Sequence, residues 1–231
     1  MKTDSIPLVE PPRERAVGSL TDALHATLPM GRIEVQTLPG CPDLVLGLIN
    51  ADFPAGPLPP EVMHDVIRAP AYWAFCWGSG LGLAQLLYRN PHWVRGRRVL
   101  DFGSGSGVVG IAALRNGAES VTACDNDADA RTATLANARL NGVHIEVCAE
   151  LAQLGRFDVV LMADVLYDRS NLPLLDALQR IAPALIVADS RVAEIPAAGF
   201  RQIAQVDALT LPNLNEFDEF RTVRVFAYGA V

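Results

Sequence analysis

The stretch Arg98-Val-Leu-Asp-Phe-Gly-Ser-Gly-Ser-Gly107 decides the fold of this chain. Its first four residues predict a short buried strand, and the three glycines that follow predict a turn that no side chain crowds. The apolar positions of residues 108–116 predict a helix directly after that turn. A strand, a glycine turn and a helix let backbone N–H groups and a helix N-terminus approach a ligand closely. The stretch therefore predicts a ligand site at the carboxyl end of a buried strand.

Two acids indicate the class of ligand. Asp101 lies at the carboxyl end of the first strand, where its carboxylate would repel a pyrophosphate but suits a ligand that carries an ammonium group. A second strand is predicted over residues 120–124 and leads into Asp125, an acid suited to accept both ribose hydroxyls of an adenosine ligand. Gly105-x-Gly107-x-x-Gly110 also matches the dinucleotide fingerprint, which is a weak signal alone. Asp101 favours S-adenosylmethionine over a dinucleotide.

Composition excludes several classes of protein. Half of the 231 residues are hydrophobic and 19% are charged, which favours a packed α/β domain over a disordered chain. The formal net charge of −7 argues against nucleic-acid binding and is compatible with a basic protein partner. The four cysteines and four histidines lack metal-ligand spacing, so we predict no metal site. The sequence shows neither a signal peptide nor a membrane-length apolar run, which predicts a cytoplasmic protein that does not bind membranes. Its oligomeric state is not indicated.

Strand and helix patterns alternate from residue 98 to residue 188. Strands are predicted over residues 98–101, 120–124, 144–148, 157–163 and 184–188, and helices over 108–116, 128–140 and 171–181. Two more strands are predicted over 200–206 and 221–228. The continuous apolar run at 159–163 is typical of a central strand that helices cover on both faces. The predicted fold is α/β: a doubly wound, Rossmann-like and mostly parallel seven-strand sheet with an antiparallel C-terminal strand.

The sequence that precedes this sheet predicts a smaller structural unit with a helix and two strands of its own. Residues 1–15 are predicted as a loose tail, 19–28 as a helix, and 32–38 and 43–49 as strands. We therefore divide the chain into residues 1–69, an N-terminal extension on the substrate side of the site, and residues 70–231, the cofactor-binding domain.

Several residues near the predicted site leave two interpretations open. Trp77 ends an aromatic cluster and precedes Gly78-Ser-Gly80, so it either packs in the core or forms a wall of the cofactor pocket. Glu150 is either the acceptor for the adenine amino group or a solvated loop acid.

Asn137 and Asn141 are predicted to lie on the surface and at the C-terminal end of the second helix.

A second site signal follows the fourth strand of the predicted sheet. Asp164 lies where this strand ends, and ligands of open α/β sheets bind outside the carboxyl ends of the strands. Asp168 or Ser170 is suited to cap the next helix, whereas Asp164 is too far upstream to do so. We therefore predict that Asp164 meets the substrate, with Tyr167 presented at the same opening.

Together, Asp-Phe-Gly-Ser-Gly-Ser-Gly, Asp125 and Asp164-Val-Leu-Tyr167 resemble the class I, seven-strand S-adenosylmethionine-dependent methyltransferases. The Asp-x-x-Tyr form is similar to the protein-lysine methyltransferases. The segment Tyr-Trp-Ala-Phe-Cys-Trp-Gly-Ser-Gly resembles the electron-transfer flavoprotein β-subunit lysine methyltransferases, a group that includes predicted nicotinamide N-methyltransferase-like proteins. The resemblance implies that S-adenosylmethionine is converted to S-adenosylhomocysteine, and that catalysis involves Asp164 and Tyr167. It also implies that Gly103, Gly105 and Asp125 bind the cofactor and that Trp77 helps to wall it. The residue pattern adds three further predicted cofactor-binding residues, Asp101, Gly107 and Glu150.

Three functions remain compatible with the sequence. The first, and the one we predict, is methylation of a lysine on a protein partner. The second is methylation of a small molecule or of another protein nitrogen, as in ribosomal-protein methyltransferases. The third is a non-catalytic protein that keeps the cofactor pocket.

Overall fold

A helix and a hairpin begin the computed structural model, which describes residues 12–54, 57–213 and 220–231. Helix α1 (Pro12–His25) leads into an antiparallel hairpin of β1 (Ile33–Leu38) and β2 (Cys41–Ile49). The predicted tail is wrong over residues 12–15, which belong to α1, because Ala16, Leu20 and Leu24 form a fully buried face that stabilises the whole helix. Residues 1–11 of the predicted tail lie outside the described residues.

The segment before the glycine turn is helical. Helix α2 (Pro60–Arg68) is followed by a 3₁₀ turn at Tyr72–Ala74 and by α3 (Gly78–Arg89). Helix α3 begins directly after Trp77, which is the residue at its cap position. Helix α3 is buried from Gly78 to Leu87, because it lies across one face of the central sheet.

A seven-stranded mixed sheet forms the centre of the protein. Its strands and helices are β3 (Arg98–Phe102), α4 (Val108–Arg115), β4 (Ser120–Cys124), α5 (Ala128–Leu140), β5 (Glu146–Cys148), β6 (Val159–Ala163), α6 (Leu174–Ile181), β7 (Leu185–Asp189), β8 (Phe200–Asp207) and β9 (Thr222–Tyr228). The strand order is β5-β4-β3-β6-β7-β9-β8, and β9 runs antiparallel to both of its neighbours. The predicted α/β fold with an antiparallel C-terminal strand is confirmed.

Alternate residues of the central strands pack against different helices. Val99 and Leu161 face the layer formed by α3, α4 and the hairpin, and Leu100 and Val160 face α6. Because both faces of these strands are buried, the carboxyl edge of the sheet is where their polar side chains meet a ligand.

The N-terminal hairpin packs against α5, α4 and α3. No described residue before Tyr72 lines the cavity at the carboxyl edge of the sheet. The hairpin therefore lies against the helices next to the glycine turn, and the placement of residues 1–69 on the substrate side stays a prediction. Within the described parts of the chain, no helix has the length and apolar character needed to cross a membrane.

Candidate active site

A cavity of about 930 Å³ lies at the carboxyl edge of the sheet. It is lined by eight of the nine predicted site residues, namely Trp77, Asp101, Gly103, Gly105, Asp125, Glu150, Asp164 and Tyr167. The ninth, Gly107, is the residue before α4 and packs against Thr134 instead of facing the cavity. The volume falls within the range of about 300–1,000 Å³ that small-molecule sites occupy.

The glycine turn needs its glycines for two different reasons. Gly103, Gly105 and Gly107 all have positive φ, at 74°, 50° and 81°. A Cβ atom at Gly103 would lie 2.6 Å from Cγ2 of Val165, so that position has no room for a side chain. A Cβ atom at Gly105 would meet nothing within 4 Å. Because Gly105 lines the cavity, its missing side chain leaves the backbone open to a ligand.

Asp125 shapes the glycine turn as well as the cavity. Its Oδ2 accepts the backbone N–H of Gly105 at 2.9 Å, and its Oδ1 accepts the N–H of Asp127 at 3.0 Å. Burial raises the pKa of Asp125, while the two backbone bonds oppose that rise. A carboxylate offers about four lone-pair sites, so two remain to accept the hydroxyls of a ribose.

Asp101 is a buried acid beneath the same turn. Only 2% of Asp101 is exposed, and its Oδ2 accepts the backbone N–H of Gly110 in α4 at 2.9 Å. Burial raises the pKa of Asp101 to about 7, well above its ordinary value of 3.8. This burial disfavours a lone negative charge, so a cationic group in the cavity would be stabilised beside it.

We expect this buried acid to reduce the stability of the protein as the pH rises from acid to neutral. The pKa of Asp101 is raised on folding, so the folded protein binds a proton that the unfolded chain releases, and stability falls as pH rises from about 4 to about 7. Asp101→Asn keeps the acceptor oxygen without the charge. In denaturant unfolding without ligand, the free energy of unfolding of the variant relative to wild type should be roughly 2–3 kcal/mol larger at pH 8 than at pH 5. An equal difference at both pH values would contradict the prediction.

Asp164, the acid predicted to meet the substrate, has an unusual backbone conformation. Asp164 follows β6 with a φ of 52°, in the left-handed region that aspartate tolerates better than most residues. Its Oδ1 accepts the hydroxyl of Ser79 at 2.6 Å, and its Oδ2 accepts the backbone N–H of Ser79 at 3.1 Å. Nη1 of Arg191 lies 3.7 Å from Oδ1. Burial raises the pKa of Asp164 to about 6, and the bonds from Ser79 and the charge of Arg191 oppose that rise.

Aromatic rings lie at the opening of the cavity beside Asp164. Tyr72 and Tyr167 are exposed, and both line the cavity. Trp77 donates its ring N–H to the carbonyl of Tyr72 at 2.9 Å, and the two rings meet edge to face. The guanidinium of Arg191 lies over the ring of Phe220 at 4.5 Å and near the ring of Tyr167 at 5.9 Å.

The sequence interpretation missed three polar residues of this site. Asp189 ends β7, and its Oδ1 accepts the N–H groups of Arg191 and Val192, which fixes the loop that carries Arg191. The strand-end rule that identified Asp164 would also have found Asp189. Arg191 and Ser79 have no such signal, since Ser79 meets an acid 85 residues away in the sequence.

Asn137 and Asn141 are buried, which corrects the prediction that they lie on the helix surface. Oδ1 of Asn137 accepts the N–H of Gly47 at 2.8 Å, and its amide donates to the carbonyl of Ser106 at 2.9 Å. Asn141 accepts the N–H of Val45 and donates to the carbonyl of the same residue. Their side chains are buried because they satisfy backbone groups of β2 that would otherwise lack partners.

The predicted cap of the helix after β6 is wrong, because α6 follows Pro173, which makes no side-chain cap bond. The side chain of Asp168 accepts the N–H of Ser170 at 2.9 Å and caps a 3₁₀ turn at Arg169–Asn171. Helix α6 therefore begins at Leu174, three residues later than predicted. Among the described residues, no three His, Cys, Asp or Glu side chains are grouped to hold a metal.

The overall arrangement has a solved counterpart. A structure described as that of a candidate RNA methyltransferase from Pyrococcus horikoshii superposes with a TM-score of 0.52 and 20% identity, over 66% of this chain and 83% of the other. The chain has the class I methyltransferase fold. The predicted resemblance to class I methyltransferases is thereby confirmed for the architecture.

Related sequences match the central part of this chain, which has the methyltransferase fold. Residues 87–182 match the family model "Ribosomal protein L11 methyltransferase (PrmA)". The electron transfer flavoprotein beta subunit lysine methyltransferase of Mus musculus is 41% identical over 101 residues, which are 42% of this chain and 40% of that protein. The ribosomal protein L11 methyltransferase of Geobacter sulfurreducens is 42% identical over 107 residues, 46% of this chain and 36% of that protein. The chain thus matches about two fifths of the length of these relatives.

Proposed function

We propose that this chain is an S-adenosylmethionine-dependent methyltransferase that methylates a lysine side chain of a protein. The observation that carries the proposal is one cavity that joins the glycine turn and Asp125 at one end to Asp164 and Tyr167 at the other. The matches to two kinds of protein methyltransferase support it. We also propose residues 70–231 as the cofactor-binding domain, residues 1–69 as its extension, and a cytoplasmic location.

The chemistry of the cavity fits S-adenosylmethionine. Asp125 would hold the ribose hydroxyls, and the glycine backbone would lie against the cofactor where a Cβ at Gly105 would intrude. Asp101 would balance the ammonium group, because it is a buried acid on the cavity wall. Trp77 and Glu150 would complete the walls. When bound, the cofactor supplies a methyl group already activated by a sulfonium.

The acceptor end of the cavity suits an amine. Asp164 would accept an N–H bond from the lysine and aim its lone pair, and the ring of Tyr167 would narrow the approach. A lysine with a pKa of about 10.4 is protonated at neutral pH and has no lone pair to offer. The positive charge of Arg191, 3.7 Å from Asp164, would favour the neutral amine over the ammonium ion. The proton leaves to water before the methyl group is transferred.

Methylation of ribosomal protein L11 is the second candidate. The family model that matches residues 87–182 carries that description. The two candidates share the cofactor end of the cavity and differ in the acceptor, so an acceptor assay separates them.

The test is transfer of label from radioactive S-adenosylmethionine. The purified protein is incubated separately with electron transfer flavoprotein beta subunit, with ribosomal protein L11, and with a lysate split into proteins and small molecules. We expect label on lysine of a protein, located by mass spectrometry. The matched control is Lys2→Arg, which removes the single lysine of this chain and hence self-methylation on lysine. Label confined to small molecules, or cofactor binding without any transfer, would overturn the lysine proposal.

Gly105→Val should abolish cofactor binding with little loss of folded structure. The new side chain would project into open space on the cavity wall, so it collides with the cofactor and not with the protein. The positive φ of Gly105 adds local strain of about 1–2 kcal/mol. Circular dichroism close to that of wild type, together with lost binding in calorimetry, is the expected pair of results. Retained binding would mean that Gly105 only connects the strand to the helix.

A further inference from the structure

One residue, Ser79, holds both oxygens of the Asp164 carboxylate. The hydroxyl of Ser79 donates to Oδ1 at 2.6 Å, a short bond of the kind made to a charged acceptor. The backbone N–H of the same residue donates to Oδ2 at 3.1 Å. Ser79 is fully buried, so water does not compete for either bond. The carboxylate is therefore fixed in rotation, with its other lone pairs left for the cavity that Asp164 lines.

These bonds place Asp164 at the N-terminus of α3. The first N–H groups of a helix lack partners within the helix, and Trp77, at the cap position, makes no side-chain cap bond. Two residues from elsewhere in the chain accept these N–H groups. Oγ1 of Thr210 accepts the N–H of Gly78 at 3.2 Å, and Oδ2 of Asp164 accepts the N–H of Ser79. The partial positive charge of the helix end favours an ionised acid there.

The groups around Asp164 have opposing effects on the pKa of its carboxyl group. Burial and the charge of Asp189 raise its pKa, whereas the bonds from Ser79 and the charge of Arg191 lower it. Tyr167 and Cys76 also interact electrostatically with this carboxyl group. Among the groups that favour the ionised form, the Ser79 hydroxyl has the largest effect.

We propose that Ser79 is a positioning residue, whose hydroxyl keeps Asp164 ionised and turned toward the acceptor amine. The inference rests on the proposed function, because it assigns Asp164 to the acceptor. It adds a residue that does not itself meet the amine. Without the hydroxyl, burial would hold more of Asp164 in its protonated form, which accepts an N–H bond poorly.

The first test measures the charge of Asp164 directly and needs no methyl acceptor. Carboxyl carbons of ¹³C-labelled aspartate are titrated by NMR, with Asp164→Asn used to assign the signal. In Ser79→Ala the pKa of Asp164 should rise by about 1 to 2, as expected for loss of one bond to a charged group. Ser79→Thr keeps a hydroxyl and should restore most of the wild-type value. An unchanged pKa in Ser79→Ala would overturn the inference, whatever reaction the protein catalyses.

The second test compares pH profiles of methyl transfer to the acceptor found by the label assay. Ser79→Ala should be about 5- to 50-fold slower than wild type at pH 6, the ratio that follows from the expected pKa rise, and close to wild type at pH 9. Thr210→Val is the matched control, because it removes a cap from the same helix end without touching Asp164. A rate lowered equally at all pH values, or an equal pH shift in Thr210→Val, would show a merely structural role. If wild type transfers no label, the proposed function fails, and the NMR titration still decides the charge of Asp164.

Discussion

Asp164→Asn should lower kcat about 10²-fold while cofactor affinity stays unchanged, because the loss is one of acceptor alignment. Asparagine tolerates a positive φ as aspartate does, so the backbone at 52° keeps its conformation. The new amide has one acceptor oxygen where the carboxylate has two, so it cannot accept both bonds from Ser79 and still face the amine. Single-turnover kinetics with the identified acceptor measures the effect.

The dependence of the methylation rate on pH should also differ between wild type and Asp164→Asn. Wild-type activity should rise with pH, first as Asp164 ionises near a pKa of about 6 and then as more of the acceptor amine becomes neutral. The variant should lose the first of these two increases and keep the second. Calorimetry with S-adenosylhomocysteine controls for cofactor binding. A variant that methylates at the wild-type rate would remove the main support for the acceptor role of Asp164.

Asp125→Ala should weaken cofactor binding by about 2–4 kcal/mol, or roughly 30- to 1,000-fold in Kd. Two charge-assisted bonds to the ribose account for most of the expected loss. The structure adds a second cause, because the N–H of Gly105 would lose its acceptor and the glycine turn would be held less firmly. Both causes act in the same direction.

Two controls separate these causes. Asp129→Ala removes a nearby exposed acid of α5 that does not line the cavity, and it should leave Kd unchanged. Asp125→Asn keeps one oxygen for Gly105 and should lose less affinity than Asp125→Ala. Wild-type affinity for S-adenosylhomocysteine in Asp125→Ala would contradict the ribose assignment, and tighter binding of NADH than of S-adenosylmethionine by wild type would overturn the choice of cofactor.

Local patterns predicted the central sheet well. The run Val159–Ala163 is apolar throughout because both of its faces are covered, and this continuous burial is visible in the sequence. The strand-end positions of Asp101, Asp125 and Asp164 followed from the same pattern, and all three line one cavity. Such features depend on the residues of one element and its immediate neighbours in the chain.

Features that depend on distant residues could not be predicted in this way. Ser79 in a run of glycines gives no sign that it will bond an acid 85 residues later. Asn137 near the end of a helix resembles a surface residue, and only the packing of β2 against α5 shows that it is buried. The insertion of β9 between β7 and β8 depends likewise on pairing across the sheet, which no local pattern records.

The two bonds of Asn137 also affect how the protein opens locally. One amide side chain holds the backbone of Gly47 in the hairpin and that of Ser106 in the glycine turn. Neither segment can open to solvent without leaving a buried polar group unpaired, which costs about 1–3 kcal/mol. We therefore expect the hairpin and the turn to open together as one cooperative unit of local unfolding. A ligand that orders the turn would slow hydrogen exchange in β2, although β2 does not line the cavity.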